Sequence, residues 1–584
     1  MRSKIVSLTP LLILMADAFA MSSAQAQTIG AEAGPLPSFF STTPTGAEVR
    51  TGRFIQNHTD LAIGDPTRGG LSLVRSDSLP MTGGSVAGTE SPAVNYEFLD
   101  RVYQTQSGKG PSGTIYIYIH YNGTDASFAT DQLYDGFIDV SGFRSGVLTR
   151  TVVGSSHYYT YQSTDGTVIT FATTSGLNSD AISLTRPDGV SFQYSSGRVV
   201  SNAGYAIIHD SGGSKICVLN LANTPLPGSN VCPAGVPTTS YSYSGLSMTS
   251  FTDADGQTWN MTNTAAGIGV PFQRAYYYPG ASTPYLTNYF SYDAEVGVAA
   301  LLQKQVYADG RSYTYEYNYD EFGKDSPSYL VYLGDYFDQL NNKTTLGWTI
   351  SRGPVDAIVP SPTIVTDPLN RQTTYTYCAD FKTFCSITAP SGIKSTFSYD
   401  NWHNLGQTSV APAPGSSLAA KITKATYDCA TFAHCTKPIT QTDANGNETD
   451  FTYDATSGVM LTKTGPAVNG VRPQTRYTYA QRYAWVSNGA GGYAHSFAPI
   501  WVLTQESYCK TGAPASSGTG CASGASDEVV TTYDYGPDTG PNNLLLRGKV
   551  EDSTGLALRT CYNYDYSGHK ISETSPRAGL ASCS

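Results

Sequence analysis

Ser211, in His209-Asp210-Ser211-Gly212-Gly213-Ser214, is the residue here that most suggests nucleophilic chemistry. Such a hydroxyl needs a His base and an acid to orient that base, and no block elsewhere in the chain supplies them in a known order. A polar turn between Ala206-Ile207-Ile208 and Ile216-Cys217-Val218 accounts for the same residues. Asp253-Ala254-Asp255-Gly256 and Asp443-Ala444-Asn445-Gly446 could each open a calcium loop. A twelve-residue loop of that kind closes on a bidentate Glu, whereas these would close on Thr264 and Asp454. Turn formation is the better reading. The 8 His are scattered without a metal-binding pair, and no two of the many acids can be singled out as a hydrolytic pair. The expectation is therefore no catalytic residue, no metal and no cofactor.

The 10 cysteines fall in neighbouring couples: Cys217/Cys232, Cys378/Cys385, Cys429/Cys435, Cys509/Cys521 and Cys561/Cys583. None has C-x-x-C spacing, so disulfides are expected rather than zinc. Nearest-neighbour pairing is favoured because short separations sample contact most often. Arg2 and Lys4, the apolar run Leu8 to Ala16 and Ala24-Gln25-Ala26 read as a secretory signal over 1–26. Removing Arg2, Lys4 and Asp17 from 35 basic and 46 acidic side chains leaves 33 and 45, a net charge of −12. That balance repels nucleic acid. No other stretch is long and apolar enough for a transmembrane span.

The elements that would carry these residues are short strands. Only 14% of residues are charged, with 42 Tyr and 58 Gly, and sustained amphipathic helical periodicity is missing. A pattern recurs instead. Gly310 precedes Tyr317 by seven residues, and the interval returns at Gly392/Tyr399, Gly446/Tyr453, Gly470/Tyr477 and Gly555/Tyr562. Asn370/Tyr377 keeps it with the next-best residue for positive φ. A turn at the Gly, an alternating strand and a closing Tyr-Asp make one unit. The closing pairs are Tyr319-Asp320, Tyr399-Asp400, Tyr453-Asp454, Tyr533-Asp534 and Tyr564-Asp565. Asp suits that place because its carboxylate bonds backbone N–H groups two residues on. Asp335 to Thr349 is the one insert that reads as helical turns.

These units resemble the YD, or Rhs, repeats of bacterial Rhs proteins, related to those of toxin-complex subunits and teneurins. Thr51-Gly52, Asp60 and Leu71 to Ser76 resemble the opening of Rhs cores. The resemblance implies an all-β fold, an antiparallel β-hairpin ribbon spiralling as an open Rhs-type shell segment. It divides the chain into a signal (1–26), a lead (27–45), a divergent β region (46–300) and repeats (301–584). It implies a non-enzymatic exported shell or carrier at the cell surface, serving toxin delivery or cell contact, whose partner is a downstream Rhs core or toxin chain. A carbohydrate-binding adhesin that meets surface glycans through Tyr rows is the alternative, and a secreted all-β hydrolase a lesser one. Six copies are too few to close a shell, so an open sheet edge and self-association through it are expected.

Overall fold

The fold is that of a computed structural model, which describes residues 43–583 except 44, 48, 50–54, 79–92, 97–100, 106–114, 122–123, 131–137, 140–144, 155, 174–177, 213, 245–246, 266–270, 294–297, 323–327, 353–357 and 379–382. The signal over 1–26 and most of the lead lie outside the described residues.

Alternating Thr, Tyr and aliphatic residues between Gly and Asn turns build hairpin after hairpin, each strand pairing antiparallel with the next. One meander of 32 strands runs from Gly146–Val153 to Lys570–Glu573. It does not close. Among the described residues Gly146–Val153 pairs only with Ser156–Ser163, and Lys570–Glu573 only with Leu558–Tyr564. A branch leaves the meander where Asn178–Asp180 pairs with Arg101–Tyr103, and it continues through Ile115–Tyr121 and Thr124–Thr130 to Ile138–Asp139. Strands Ile55–Ile63, Leu71–Ser78 and Ala93–Tyr96 form a separate small sheet, and Trp485–Ser487 with Tyr493–His495 form another.

The helical turns expected over Asp335 to Thr349 are not there. Strands Ser328–Phe337 and Lys343–Arg352 flank a five-residue turn instead, with Asn341 at φ 61°. The Asp338 carboxylate accepts from Leu340 N–H, Asn342 N–H and Asn342 Nδ2 and so satisfies that turn locally, and the chain reverses rather than coils. Single 3-10 turns, Pro66–Arg68, Ala525–Asp527 and Pro576–Ala578, are the helical pieces among the described residues.

Burial divides the sheet. Tyr205–His209 and Lys215–Asn220 are buried on both faces, because the small N-terminal sheet covers one side. Gln372–Tyr377 and Lys394–Tyr399 alternate exposed and half-buried residues, as a single layer does. The junction between the layers holds a buried ion pair. Arg75 Nε and Nη2 donate to Asp60 at 2.9 and 3.3 Å, and both side chains are nearly inaccessible. Tyr241, across the layer, donates its hydroxyl to Asp60 at 2.6 Å, and the Arg75 guanidinium lies 4.3 Å over the Phe251 ring. Carboxylate and guanidinium thus meet in a dry seam only because each has charged or polar partners.

The far hairpins reach back to the same core. Gly64 N–H donates to the Ser567 carbonyl, Trp501 N–H to Asp188, and Ser487 N–H to Leu221. Asn220 donates to Asn542 Oδ1 at 2.9 Å and to the Tyr566 carbonyl at 3.0 Å.

Candidate functional site

The recurring turn explains where the acids go. Asp443 Oδ1 accepts from Asn445 N–H at 2.8 Å and Asn447 N–H at 2.9 Å, while Oδ2 accepts from Asn447 Nδ2 at 2.8 Å. These bonds hold the carboxyl below the usual carboxylate range, the Asn447 side chain first. A carboxylate engaged in this way organises its own turn rather than a cation. Asp253, Asp338, Asp367 and Asp400 sit in turns of the same design, and the fourth residue is left-handed in each: Gly256, Asn341, Asn370 and His403. Asp454 closes a related turn by accepting from Thr456 and Ser457.

Gly310, Asn370, Gly392, Gly446 and Gly470 all have positive φ, between 61° and 86°. Gly555 does not. There Asp552 (φ 49°) and Ala557 (φ 51°) turn the chain, and a Cβ on Gly555 would meet the Asp552 carboxylate at 2.5 Å. Gly555 therefore gives room to a carboxylate that accepts from Leu556 N–H at 2.9 Å.

The tyrosines form a ladder. From Tyr317 to Tyr427 each unit's strand carries a β-bulge immediately before an aromatic, and the residue facing that aromatic has its carbonyl bonded by the next unit's ring. Tyr317 faces Leu333, whose carbonyl accepts from Trp348 Nε1 at 2.7 Å. Trp348 faces Pro362, which accepts from the Tyr377 hydroxyl at 3.0 Å. Tyr377 faces Phe384, which accepts from Tyr399 at 2.9 Å, and Tyr399 faces Leu405, which accepts from Tyr427 at 3.1 Å. Tyr427 faces Pro438, which accepts from Tyr453 at 2.9 Å. Tyr317 itself donates to the Leu302 carbonyl. A bulge disrupts the local strand ladder, and a phenol from the next hairpin supplies a donor there.

The ladder departs from the seven-residue spacing in places. Trp348 and Tyr427 belong to it, although the first is not a Tyr and the second has Ala420, not Gly or Asn, seven residues before it. The left-handed Asn341 of the Asp338-to-Asn342 turn, seven residues before Trp348, is the signal that could have found the first. After Gly470 the bulge falls before Tyr479 rather than Tyr477, and Leu503, opposite Tyr479, accepts from Tyr535 at 3.0 Å. At the far end Tyr564, not Tyr562, donates to Leu546, at 2.7 Å. Tyr319-Asp320 does not close its strand, which continues to Phe322; those two side chains lie outside the described residues. Asp400, Asp534 and Asp565 each accept a backbone N–H in the turn that follows their strand.

The cysteines join as Cys217–Cys232, Cys378–Cys385, Cys429–Cys435, Cys509–Cys521 and Cys561–Cys583. Cys509, Cys521 and Asp527 cluster closely enough for a metal, but both sulfurs are in a disulfide, and Asp527 accepts from Thr511 N at 2.9 Å and Thr511 Oγ1 at 2.6 Å. Around Ser211, Asp210 accepts from Gly212 N–H and Cys232 N–H, which makes it a turn-former rather than an orienting acid. Burial lowers the His209 pKa to about 4. His434 lies in the Cys429–Cys435 loop, with Nδ1 3.1 Å from Thr431 Oγ1 and Nε2 3.6 Å from Asp428, and its ring stacks on Tyr453. This stack ties the loop to the ladder.

No family model matches the sequence, and no curated protein matches it. Solved structures to which the chain is similar include three complexes. They are TcdB2-TccC3-Cdc42 (9% identity, TM-score 0.32, 78% of this chain), TcdB2-TccC3 without its hypervariable C-terminal region (10%, 0.29, 81%) and TcdB2-TccC3-TEV (11%, 0.32, 89%). The chain spans 28%, 27% and 31% of the lengths of those chains.

Proposed function

We propose that this chain is a non-enzymatic, exported RHS/YD-repeat protein, a shell segment that carries or encloses a second polypeptide. The observation that supports this reading is the ladder. The residue types that recur most regularly, turn Asp and strand Tyr, are engaged with the chain's own backbone, and they extend one sheet instead of converging on a pocket. A reaction centre would gather titratable groups around a cavity. Here the same groups are distributed along the meander, one set per unit from Tyr317 to Tyr453. Five disulfides fit an oxidising compartment outside the cytosol.

The open ends of the sheet supply the means of binding. Lys570–Glu573 and Gly146–Val153 each have one unpaired side among the described residues, and Val147, Val152, Val153 and Ile571 are exposed on them. An unpaired edge accepts a strand by backbone hydrogen bonding. Co-expression of residues 27–584 with the polypeptide encoded immediately downstream tests the proposal. Stable co-elution through gel filtration is expected. A downstream polypeptide that never co-elutes would count against the carrier role.

A further inference from the structure

The structure assigns a binding platform for a neutral polysaccharide to Trp259, Tyr278 and Tyr285, away from the ladder and independent of the shell reading. Four aromatic rings run in contact from the junction of the layers to the surface. Phe251 and Trp259 stack at 5.8 Å and 4°, Trp259 meets Tyr278 at 5.6 Å, and Tyr278 stacks on Tyr285 at 4.3 Å. Tyr278 is 53% exposed, so the row ends in a ring open to solvent.

Local sequence fixes the rings in place. Tyr278 and Tyr285 are the two ends of Tyr-Pro-Gly-Ala-Ser-Thr-Pro-Tyr, where Pro279 follows one and Pro284 precedes the other. Proline sets φ and limits what the loop can explore. Gly280 takes φ 71°, Ala281 N–H donates to the Tyr278 carbonyl at 3.0 Å, and Tyr285 N–H donates to Tyr276 at 2.8 Å. Trp259 Nε1 donates to Asp253 Oδ2 at 3.0 Å, which anchors the indole. A rigid surface loses little entropy when a ligand settles on it.

The same geometry selects the ligand class. Centroid separations of 4.3 to 6.4 Å keep the rings in mutual contact, without the gap that an aromatic cage needs to surround a cation. Asp253 and Asp255 stand in the turn beside Trp259, and the net charge is −11, so phosphates, acidic glycans and anionic lipids are repelled. Asp253 is committed to Trp259 and to the N–H groups of Asp255 and Gln257. Asp255 is exposed and offers acceptors for hydroxyl donors. A ligand with an apolar C–H face for Tyr278 and hydroxyls for a carboxylate is an uncharged sugar chain.

Native affinity electrophoresis of the mature chain in gels containing laminarin, xylan, dextran or hyaluronan tests this. At least one neutral polysaccharide should retard migration, and hyaluronan should not. Tyr278→Ala should abolish the retardation and Tyr278→Phe keep it. Tyr493→Ala, which removes another exposed tyrosine, should also keep it. Unchanged migration in every gel would overturn the proposal, as expected if the platform binds a protein instead. Retardation by hyaluronan alone, or retardation that survives Tyr278→Ala, would overturn it too.

Discussion

The Tyr453 hydroxyl donates at 2.9 Å to the carbonyl of Pro438, and Pro438 is itself the cross-strand partner of Tyr427, the aromatic of the preceding unit. Two successive aromatics thus act on one residue, one across the strand pair and one through its carbonyl. This relationship, repeated from Tyr317 to Tyr453, sets the spacing of the hairpins.

Removing one rung should weaken the sheet without unfolding it. Tyr453→Phe leaves the ring and takes away the donor, so a loss of about 1 kcal/mol is expected from the hydrogen bond. Urea denaturation would measure it. Tyr508→Phe, at an exposed ring, should change stability little. Equal effects of the two substitutions would contradict the ladder's role.

The buried pair between the layers should behave differently. Arg75→Met strands the Asp60 carboxylate in a dry seam, at a cost of about 3–5 kcal/mol, whereas Asp60→Leu combined with Arg75→Met should recover much of that. Thermal melts of the two single variants and the double variant give the coupling. Additive losses would mean that the pair does not act as a unit.

Reduction should act locally. The Cys509–Cys521 bridge closes a loop with a sequence separation of 12, and loop entropy assigns it roughly 3 kcal/mol. Cys509→Ser with Cys521→Ser should lower the melting temperature while keeping the β-sheet circular dichroism. Non-reducing peptide mapping should recover all five short-range bridges, and a crosslink between distant units would refute them.

Stability should fall at both pH extremes. Burial raises the phenols of Tyr427, Tyr477 and Tyr564 to about 12. A phenol whose folded pKa exceeds its unfolded value of about 10 stabilises the fold below that value. The contribution is lost as pH rises from about 10 to 12. Asp443 and Asp454 are lowered, chiefly by hydrogen bonds from Asn447 and Ser457 respectively. Their contribution is present above the ordinary Asp value of about 3.9 and is lost as pH falls below it. Phenolate absorbance should rise together with unfolding on the alkaline side. Full titration of all tyrosines at the ordinary value, with the fold intact, would contradict this.

Strand-and-turn organisation was legible because each turn carries its own chemistry within five residues, as Asp443 to Asn447 does. The all-β fold and the open sheet follow from that local grammar. The rungs were only partly legible, because a bulge shifts which residue acts. Tyr564, which donates to Leu546, stands two residues beyond Tyr562, and bulge placement depends on pairing with the next strand rather than on local sequence. Trp348 was hidden because an indole N–H can replace a phenol hydroxyl as donor. The Asp60–Arg75 pair was present in the residues matched at the N-terminal opening, but its Tyr241 partner lies 181 residues away and becomes visible only in the packed layers.

Light scattering on the mature chain, alone and with the polypeptide encoded downstream, tests the central claim most directly. The unpaired edges at Gly146–Val153 and Lys570–Glu573 predict self-association of the chain alone at tens of micromolar, or a defined complex once the second polypeptide is present. A monodisperse monomer under both conditions would contradict an open shell segment that works by pairing its edge.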